Sequence, residues 1–174
     1  AELRAFIDWT PFLRTWDMPG RWPEAKKDPD RGEAITQLVH DAELILDELE
    51  ASGVLEIKGV LELFAANSEG DDIIVYADTT RRKELGRIHT LRQQMVRPSG
   101  RPNLALSDFV AGPGVEDWVG CFGVTAGIGL EKLVAAAEAD HDDYRAIMLK
   151  AVADRLAEAF AEHLHQRVRT EFWG

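Results

Sequence analysis

The last part of the chain carries its clearest hydrophobic pattern. No proline or glycine occurs between Asp140 and Glu171, and apolar residues recur there at every fourth position. These positions are Met148, Val152, Leu156, Phe160, Leu164 and Val168, widened by Ile147, Ala151 and Ala159. Spacing of this kind predicts a long amphipathic helix over Asp140–Glu171 that packs one face into the core. Asp154 and Glu158, one turn apart, lie on the side facing away from Leu156 and Phe160.

The remaining pattern predicts three further helices and four extended segments. The helices are Glu33–Ala51, Thr80–Val96 and Leu130–Ala139, and the extended segments are Val54–Ala66 (as one or two strands around Gly59), Ile73–Tyr76, Ala105–Val110 and a buried strand Asp117–Thr125. A turn-forming stretch before Ile73 indicates a hairpin. The order of elements predicts an α+β fold, with a mostly antiparallel sheet flanked by helices and a long C-terminal core helix. Without a repeat or a linker, residues 1–174 are predicted to form a single domain.

The first 22 residues are unusually aromatic. They contain Phe6, Trp9, Phe12, Trp16 and Trp22. Pro11 and the Pro19-Gly20 pair argue against one continuous helix here. Aromatic side chains at this density must pack against the body of the domain or line a pocket. Asp8 lies within this apolar segment, and we expect it to be buried. It then needs a partner, which could be a backbone N–H in a helix or turn cap, an arginine or a ligand cation.

Charge restricts the classes of partner. The chain of 174 residues has a net charge of −11 and a pI near 4.9, which argues against nucleic acid or an anionic membrane as the main partner. One segment is nevertheless basic, and we interpret it as a solvated helix face. Its residues are Arg81, Arg82, Lys83, Arg87, Arg92, Arg97 and Arg101.

The cysteine content and the lack of evident targeting segments indicate the cellular compartment. Cys121 is the single cysteine, so there is no internal disulfide, and its apolar surroundings predict a buried, inert thiol. This fits a reducing cytoplasm. No apolar run long enough to span a membrane and no signal peptide is evident. The first residue is Ala rather than Met, so we expect a piece of a longer polypeptide.

Several catalytic and metal-binding arrangements are disfavoured. The glycines from Gly120 to Gly129 do not match a dinucleotide-binding fingerprint. His163 and His165 point in different directions on a helix, so we predict no metal site. No nucleophile elbow or catalytic triad is present. The acids Asp8, Asp154 and Glu158 could attract a cationic ligand; for the two helix acids the alternative is a salt bridge, for example to Arg155.

Eight segments, taken in order, resemble the activation domain of cobalamin-dependent methionine synthase. They are Phe6–Phe12 (FIDWTPF), Ala65–Asp72 (AANSEGDD), Leu91–Gln94 (LRQQ), Asp108–Ala111 (DFVA), His141–Met148 (HDDYRAIM), Ala151–Glu162 (AVADRLAEAFAE), Leu164–His165 and Phe172–Gly174. These segments extend over almost the whole chain, and several are long and of unusual composition.

The resemblance implies a function in methionine biosynthesis. In that family the domain binds S-adenosylmethionine beside cobalamin, which a partner domain carries. When the cofactor is oxidised to cob(II)alamin, an electron from flavodoxin or a similar reductase and a methyl group from S-adenosylmethionine restore methylcobalamin. The implied fold is a twisted antiparallel sheet with helices around it. Asp8 resembles the aspartate that holds the amino group of the ligand, Glu158 the helix acid near it, and Asp154 is implied to face the corrin.

One departure from the family pattern lowers the affinity that we expect for S-adenosylmethionine. The chain ends at Trp173-Gly174, before the family's arginine and Gly-Tyr-Pro stretch, which hold the carboxylate and adenosine of the ligand. We therefore expect an incomplete pocket that binds S-adenosylmethionine weakly or not at all. The parent resembles a methyltransferase, whereas this fragment is not expected to be catalytic alone. The alternatives are a ligand-free docking module for a cobalamin-binding domain or reductase, and an independent enzyme, for which no catalytic set is present.

Overall fold

The computed structural model describes residues 2–98 and 100–173; Ala1, Ser99 and Gly174, the last residue of the Phe172–Gly174 segment, lie outside the described residues. The helices are α1 Trp9–Thr15, α2 Gly32–Ser52, α3 Leu130–Ala139 and α4 Asp143–Arg167, and the strands are β1 Glu56–Glu69, β2 Asp72–Tyr76, β3 Glu84–His89 and β4 Asp117–Ile128. The four strands form one sheet in the order β3-β2-β1-β4, with antiparallel β1–β2 and β2–β3 pairs. The predicted α+β class with a largely antiparallel sheet is confirmed.

The contacts divide the chain into two compact units. The first contains residues up to Gly59 together with those from Gly123 onward, and the second is Val60–Phe122. All four helices belong to the first unit. Strands β1 and β4 contribute residues to both units.

The aromatic N-terminal segment packs into the core of the first unit, as predicted. Phe12 is 1% exposed, and its ring lies 5.2 Å from that of Trp9 and 6.4 Å from that of Trp16. The Trp16 ring in turn lies 5.1 Å from that of Tyr144 in α4. The segment forms a short 3-10 helix, Glu2–Phe6, followed by α1. The contact between Trp16 and Tyr144 packs the end of α1 against α4.

Helix α4 is confirmed, but it begins later than predicted. The Asp142 carboxylate accepts a hydrogen bond from Arg145 N at 2.9 Å and caps the helix, and a π-helical turn, Val168–Phe172, follows its end. Most of the predicted stripe is buried. Ile147, predicted to widen that stripe, is instead exposed. The Tyr144 hydroxyl donates to Asp41 in α2 at 2.7 Å; burial, together with this bond, raises the pKa of Tyr144 to about 12.

Two glycines permit close packing in the first unit. An added Cβ at Gly59 would lie 2.8 Å from the ring of Phe160. Because glycine has no Cβ, β1 can pass close to this ring and continue through Gly59 as one strand. Gly129 has φ +94°, and an added Cβ there would lie 2.4 Å from the carbonyl oxygen of Val54. We expect Gly129→Ala to cost about 2–4 kcal/mol of unfolding free energy, through backbone strain and this clash.

The matched control for this prediction is Gly127→Ala. An added Cβ at Gly127 meets nothing within 4 Å and φ is not positive there, so the loss should be below about 1 kcal/mol. Urea denaturation followed by tryptophan fluorescence measures both changes. Equal losses at the two positions would show that the approach of Val54 to Gly129 does not limit stability.

The second unit confirms the hairpin and corrects the helix predicted over Thr80–Val96. Strands β1 and β2 pair with Glu69 opposite Asp72. Residues within the predicted helix instead form β3, in which Ile88 lies opposite Ile73 of β2. Arg87 forms ion pairs with Glu69 at 2.8 Å and with Glu84 at 3.3 Å. Pairing with β2 therefore outweighs local helix propensity, and the basic cluster does not form a helix face.

Two further predictions in the second unit are corrected. The segment predicted as extended over Ala105–Val110 contains a 3-10 turn, Leu106–Phe109. The strand predicted over Asp117–Thr125 is present as β4, but its residues from Gly120 to Gly123 are exposed rather than buried. Cys121 is consequently exposed rather than buried.

Arg92 organises the loops of the second unit. Its guanidinium contacts Asp71 at 2.6 Å and Asp108 at 2.7 Å and donates to the carbonyl oxygen of Asn103 at 2.7 Å. The bond from Arg92 and one from the Ala105 N–H lower the pKa of Asp108 to about 2. Three of the resembling segments, Ala65–Asp72, Leu91–Gln94 and Asp108–Ala111, thus meet at one ion-pair network.

This network predicts an acid-dependent loss of stability. The folded-state pKa of Asp108 is below its ordinary value of 3.8, so its stabilising effect is complete above about pH 4 and is lost as the pH falls to about 2. We expect Asp108→Asn to be less stable than the wild type at pH 7, and the difference to close over that interval. Urea denaturation at several pH values tests this. A difference that is unchanged at pH 2 would contradict it.

Candidate functional site

Asp8 is positioned by the start of α1. Its Oδ1 accepts a hydrogen bond from Thr10 N at 2.8 Å, which makes Asp8 the N-cap of this helix. The Thr10 hydroxyl accepts one from Trp22 N at 3.3 Å and so holds the following segment against α1. Asp8 is exposed, which contradicts the expected burial, and the capping alternative is confirmed. Because the cap uses Oδ1, Oδ2 remains available to a ligand.

A polar hollow of about 430 Å³ adjoins Asp8. It is lined by Asp8, Thr10, Pro11, Arg14, Arg21, Trp22 and Glu24. Two carboxylates and two guanidinium groups thus surround one space. The sequence did not indicate Arg14, Arg21 or Glu24, because they become neighbours only when the chain folds back after α1.

The two helix acids are both exposed on α4, on the side predicted from their spacing. Asp154 forms an ion pair with Arg155, which is the structural alternative considered above. Glu158 makes no ion pair or hydrogen bond among the described residues. Glu162, one further turn along, is also exposed and extends the same row of acids. The same four-residue spacing could have identified Glu162 from the sequence.

Contacts place the segment that leads to Asp8 along the C-terminal half of α4. The rings of Phe6 and His163 lie 5.0 Å apart. Leu3 and Leu156 line a second hollow, of about 180 Å³ and largely apolar. Arg4 at its rim pairs with Asp47 at 2.7 Å and with Glu50 at 3.0 Å, so its charge is already compensated. Asp8 and α4 are therefore brought to the same region, although Glu158 is not among the residues that line the hollow beside Asp8.

The described residues contain no group of three or more histidine, cysteine or acidic side chains arranged to hold a metal ion. Across these same residues, no helix has the length and apolar character needed to cross a membrane.

Comparisons with known proteins identify the family of the chain. The family model described as the vitamin B12 dependent methionine synthase activation domain matches residues 1–174. A crystal structure of the MetH reactivation domain bound to AdoHcy is similar, with a TM-score of 0.90 and 48% identity. That match includes 99% of this chain and 53% of the other, so the chain spans about half the length of the solved domain. The chain belongs to the family of vitamin B12 dependent methionine synthase activation domains.

Proposed function

We propose that this chain takes part in the reductive reactivation of cobalamin in methionine synthase, with S-adenosylmethionine as the methyl donor. One observation carries the proposal: 48% identity over 99% of the chain to a reactivation domain solved with AdoHcy. A partner domain carries the cobalamin, whose cobalt accepts the methyl group. A flavodoxin-type reductase supplies the electron. The expected cytoplasmic location agrees with this role.

Charge supports the assignment of the ligand residues. S-adenosylmethionine carries an ammonium and a sulfonium, and carboxylates attract both. Asp8 offers its free Oδ2 to the ammonium, at a side chain already fixed by the bond from Thr10. Glu158, which has no partner of its own among the described residues, is assigned to the sulfonium. Asp154 is assigned to the side facing the corrin, and its ion pair with Arg155 partly offsets its negative charge.

Methyl transfer from S-adenosylmethionine to cobalt needs no general acid or base, so the protein contributes by positioning the reactants. Methyl transfer to cobalt requires the donor methyl, its sulfur and the metal to lie in line, and holding them so supplies the catalytic effect. The absence of a nucleophile or triad in the sequence agrees with such a role. A protein of this kind is an accessory to a methyltransferase and does not turn over by itself.

The ligand pair S-adenosylmethionine and AdoHcy tests the two carboxylates separately. Both ligands have the ammonium, and S-adenosylmethionine alone has the sulfonium charge. We expect Asp8→Asn to weaken both ligands about 10-fold, and Glu158→Gln to weaken S-adenosylmethionine about 5-fold while changing AdoHcy less than 2-fold. Amide chemical-shift titration to 10 mM ligand measures dissociation constants even where binding is weak.

Glu33→Gln is the matched control because Glu33 is an exposed acid of the same unit that does not line the hollow beside Asp8. It should leave both constants within about 2-fold. Equal responses of the two ligands to Glu158→Gln would contradict the sulfonium assignment. The absence of any shift near Asp8 at 10 mM ligand would contradict ligand binding by this chain.

A docking module without a ligand is the second candidate. The observation in its favour is that Asp8 and Asp154 both have intramolecular partners, as structural acids do. It predicts that a cobalamin-binding domain or a reductase binds the chain while S-adenosylmethionine shifts no amide. The same titration therefore separates the two candidates.

A further inference from the structure

The hollow beside Asp8 contains charged groups that the proposed function does not use. Arg14 and Arg21 both line it, and both side chains are exposed. Within residues 2–98 and 100–173, the guanidinium groups of these two arginines form no ion pair or hydrogen bond. Two cationic groups that share one hollow and have no protein partner are free to bind an anionic group of a ligand.

The charges around the hollow cancel. Asp8 and Glu24 contribute two negative charges, and Arg14 and Arg21 contribute two positive charges. A space of this composition has little net attraction for a simple anion or cation, but it favours a ligand that carries both charges next to each other. An α-amino acid has such a head group, with an ammonium and a carboxylate on the same carbon atom. The hollow therefore suits a zwitterion better than a singly charged ion.

Arg14 extends toward Asp8 along α1. The two residues are six positions apart, which corresponds to about 9 Å along a helix axis. Helical side chains lean toward the N-terminal end of their helix, so the long side chain of Arg14 covers much of that separation. Both residues line the same hollow, as this direction requires. A carboxylate next to an ammonium at Asp8 would thus be within reach of Arg14.

Arg21 belongs to a segment that is fixed to α1. Trp22 N donates to the Thr10 hydroxyl at 3.3 Å. Ala25 N donates to the carbonyl oxygen of Arg21 at 2.7 Å. The Nζ of Lys26 lies 4.8 Å from the centre of the Trp22 ring. These contacts hold the backbone around Arg21 before a ligand binds, so binding at this position requires little further ordering of the main chain.

We infer that the hollow is a binding site for an α-amino-acid head group, in which Arg14 and Arg21 bind the carboxylate and the free Oδ2 of Asp8 binds the ammonium. The place of the ammonium rests on the proposed function. The carboxylate contact lies within this chain and is additional to the arginine that the family resemblance places after Gly174. The head group has two sources, namely the amino-acid end of S-adenosylmethionine or AdoHcy, and a free amino acid.

The test compares three probes by amide chemical-shift titration to about 10 mM. AdoHcy carries the head group on a nucleoside, L-methionine carries it without the nucleoside, and methylthioadenosine has the nucleoside without the head group. We expect Arg14→Gln and Arg21→Gln each to weaken AdoHcy about 5-fold and to change methylthioadenosine by less than about 2-fold. Far-UV circular dichroism establishes that each variant is folded.

Arg31→Gln is the matched control, because Arg31 is an exposed arginine of the same unit that does not line this hollow. It should leave the dissociation constant of AdoHcy within about 2-fold. Equal weakening by Arg31→Gln and by the two hollow variants would overturn the inference. So would equal weakening of AdoHcy and methylthioadenosine by Arg14→Gln or Arg21→Gln.

The outcomes separate this inference from the proposed function. AdoHcy binding that responds to Asp8→Asn but to neither arginine variant would overturn the inference and leave the proposed function standing. L-methionine binding that requires both arginines, without binding of S-adenosylmethionine or AdoHcy, would support a site for free amino acids and contradict the proposed function. AdoHcy binding that requires both arginines, without binding of L-methionine, would assign the head group to the nucleoside ligand. Absence of binding of both AdoHcy and L-methionine to the wild type would overturn the inference.

Discussion

Phe12→Ala is expected to lower the free energy of unfolding by about 3–5 kcal/mol, because it removes a buried aromatic ring and leaves a cavity. Phe12 is 1% exposed and lies between the rings of Trp9 and Trp16, so neighbouring side chains cannot collapse freely into the space. Urea denaturation followed by tryptophan fluorescence measures the change. Trp9, Trp16 and Trp22 all belong to the same unit as Phe12, so the signal reports on the part of the chain that is altered.

Phe172→Ala is the matched control. Phe172 is exposed, and the guanidinium of Arg167 lies 5.1 Å from its ring. Its removal should cost less than about 1 kcal/mol. Comparable losses for the two variants would mean that the N-terminal aromatic segment does not contribute to the core as its burial indicates.

Asn67→Asp is expected to have an effect of similar size in the second unit. Asn67 is 2% exposed, and its amide nitrogen lies 3.1, 3.0 and 2.7 Å from the carbonyl oxygens of Ala111, Gly112 and Val115, which share its two N–H donors. A carboxylate of the same shape would place a buried negative charge against three acceptors. The expected loss at pH 7 is about 3–5 kcal/mol, measured by urea denaturation with far-UV circular dichroism.

Asn67→Ala and a change of pH provide the controls. The alanine variant leaves three carbonyl groups without their donor but adds no charge, so its loss should be smaller, about 2–3 kcal/mol. The carboxyl introduced by Asn67→Asp should have a folded-state pKa above its unfolded value, because burial and the facing oxygens disfavour its charged form. Its deficit should therefore shrink as the pH falls through that folded pKa. A deficit that grows on acidification would contradict this account.

Elements with strong local signals could be predicted from the sequence. The four-residue repeat identified α4, and the apolar spacing of Glu33–Ala51 with Gly53 after it identified α2, which ends with Gly53 at φ 60°. The turn before Ile73 identified the β1–β2 hairpin. In each of these elements the residues that determine the structure are close together in the chain.

Elements that depend on distant partners could not be predicted in this way. β3 is a strand because it pairs with β2 and because Arg87 reaches Glu69, neither of which is visible in its own residues. The exposure of Cys121 depends on which parts of the sheet other elements cover, and its neighbours in the sequence do not show this. In the candidate site, family resemblance indicated Asp8 and Glu158, while Arg14, Arg21 and Glu24 were found only through the fold.

The capping bond at Asp8 has a consequence for how a ligand would be received. A carboxylate on a flexible side chain loses rotational freedom when it binds a cation, and that loss reduces affinity. At Asp8 the folding of α1 has already imposed this restriction, because Thr10 N holds Oδ1 in one orientation. The ammonium group of a ligand would therefore bind a carboxylate that is already oriented. Conversely, its arrival would tighten the first turn of the helix, so that ligand occupancy and helix order should rise together.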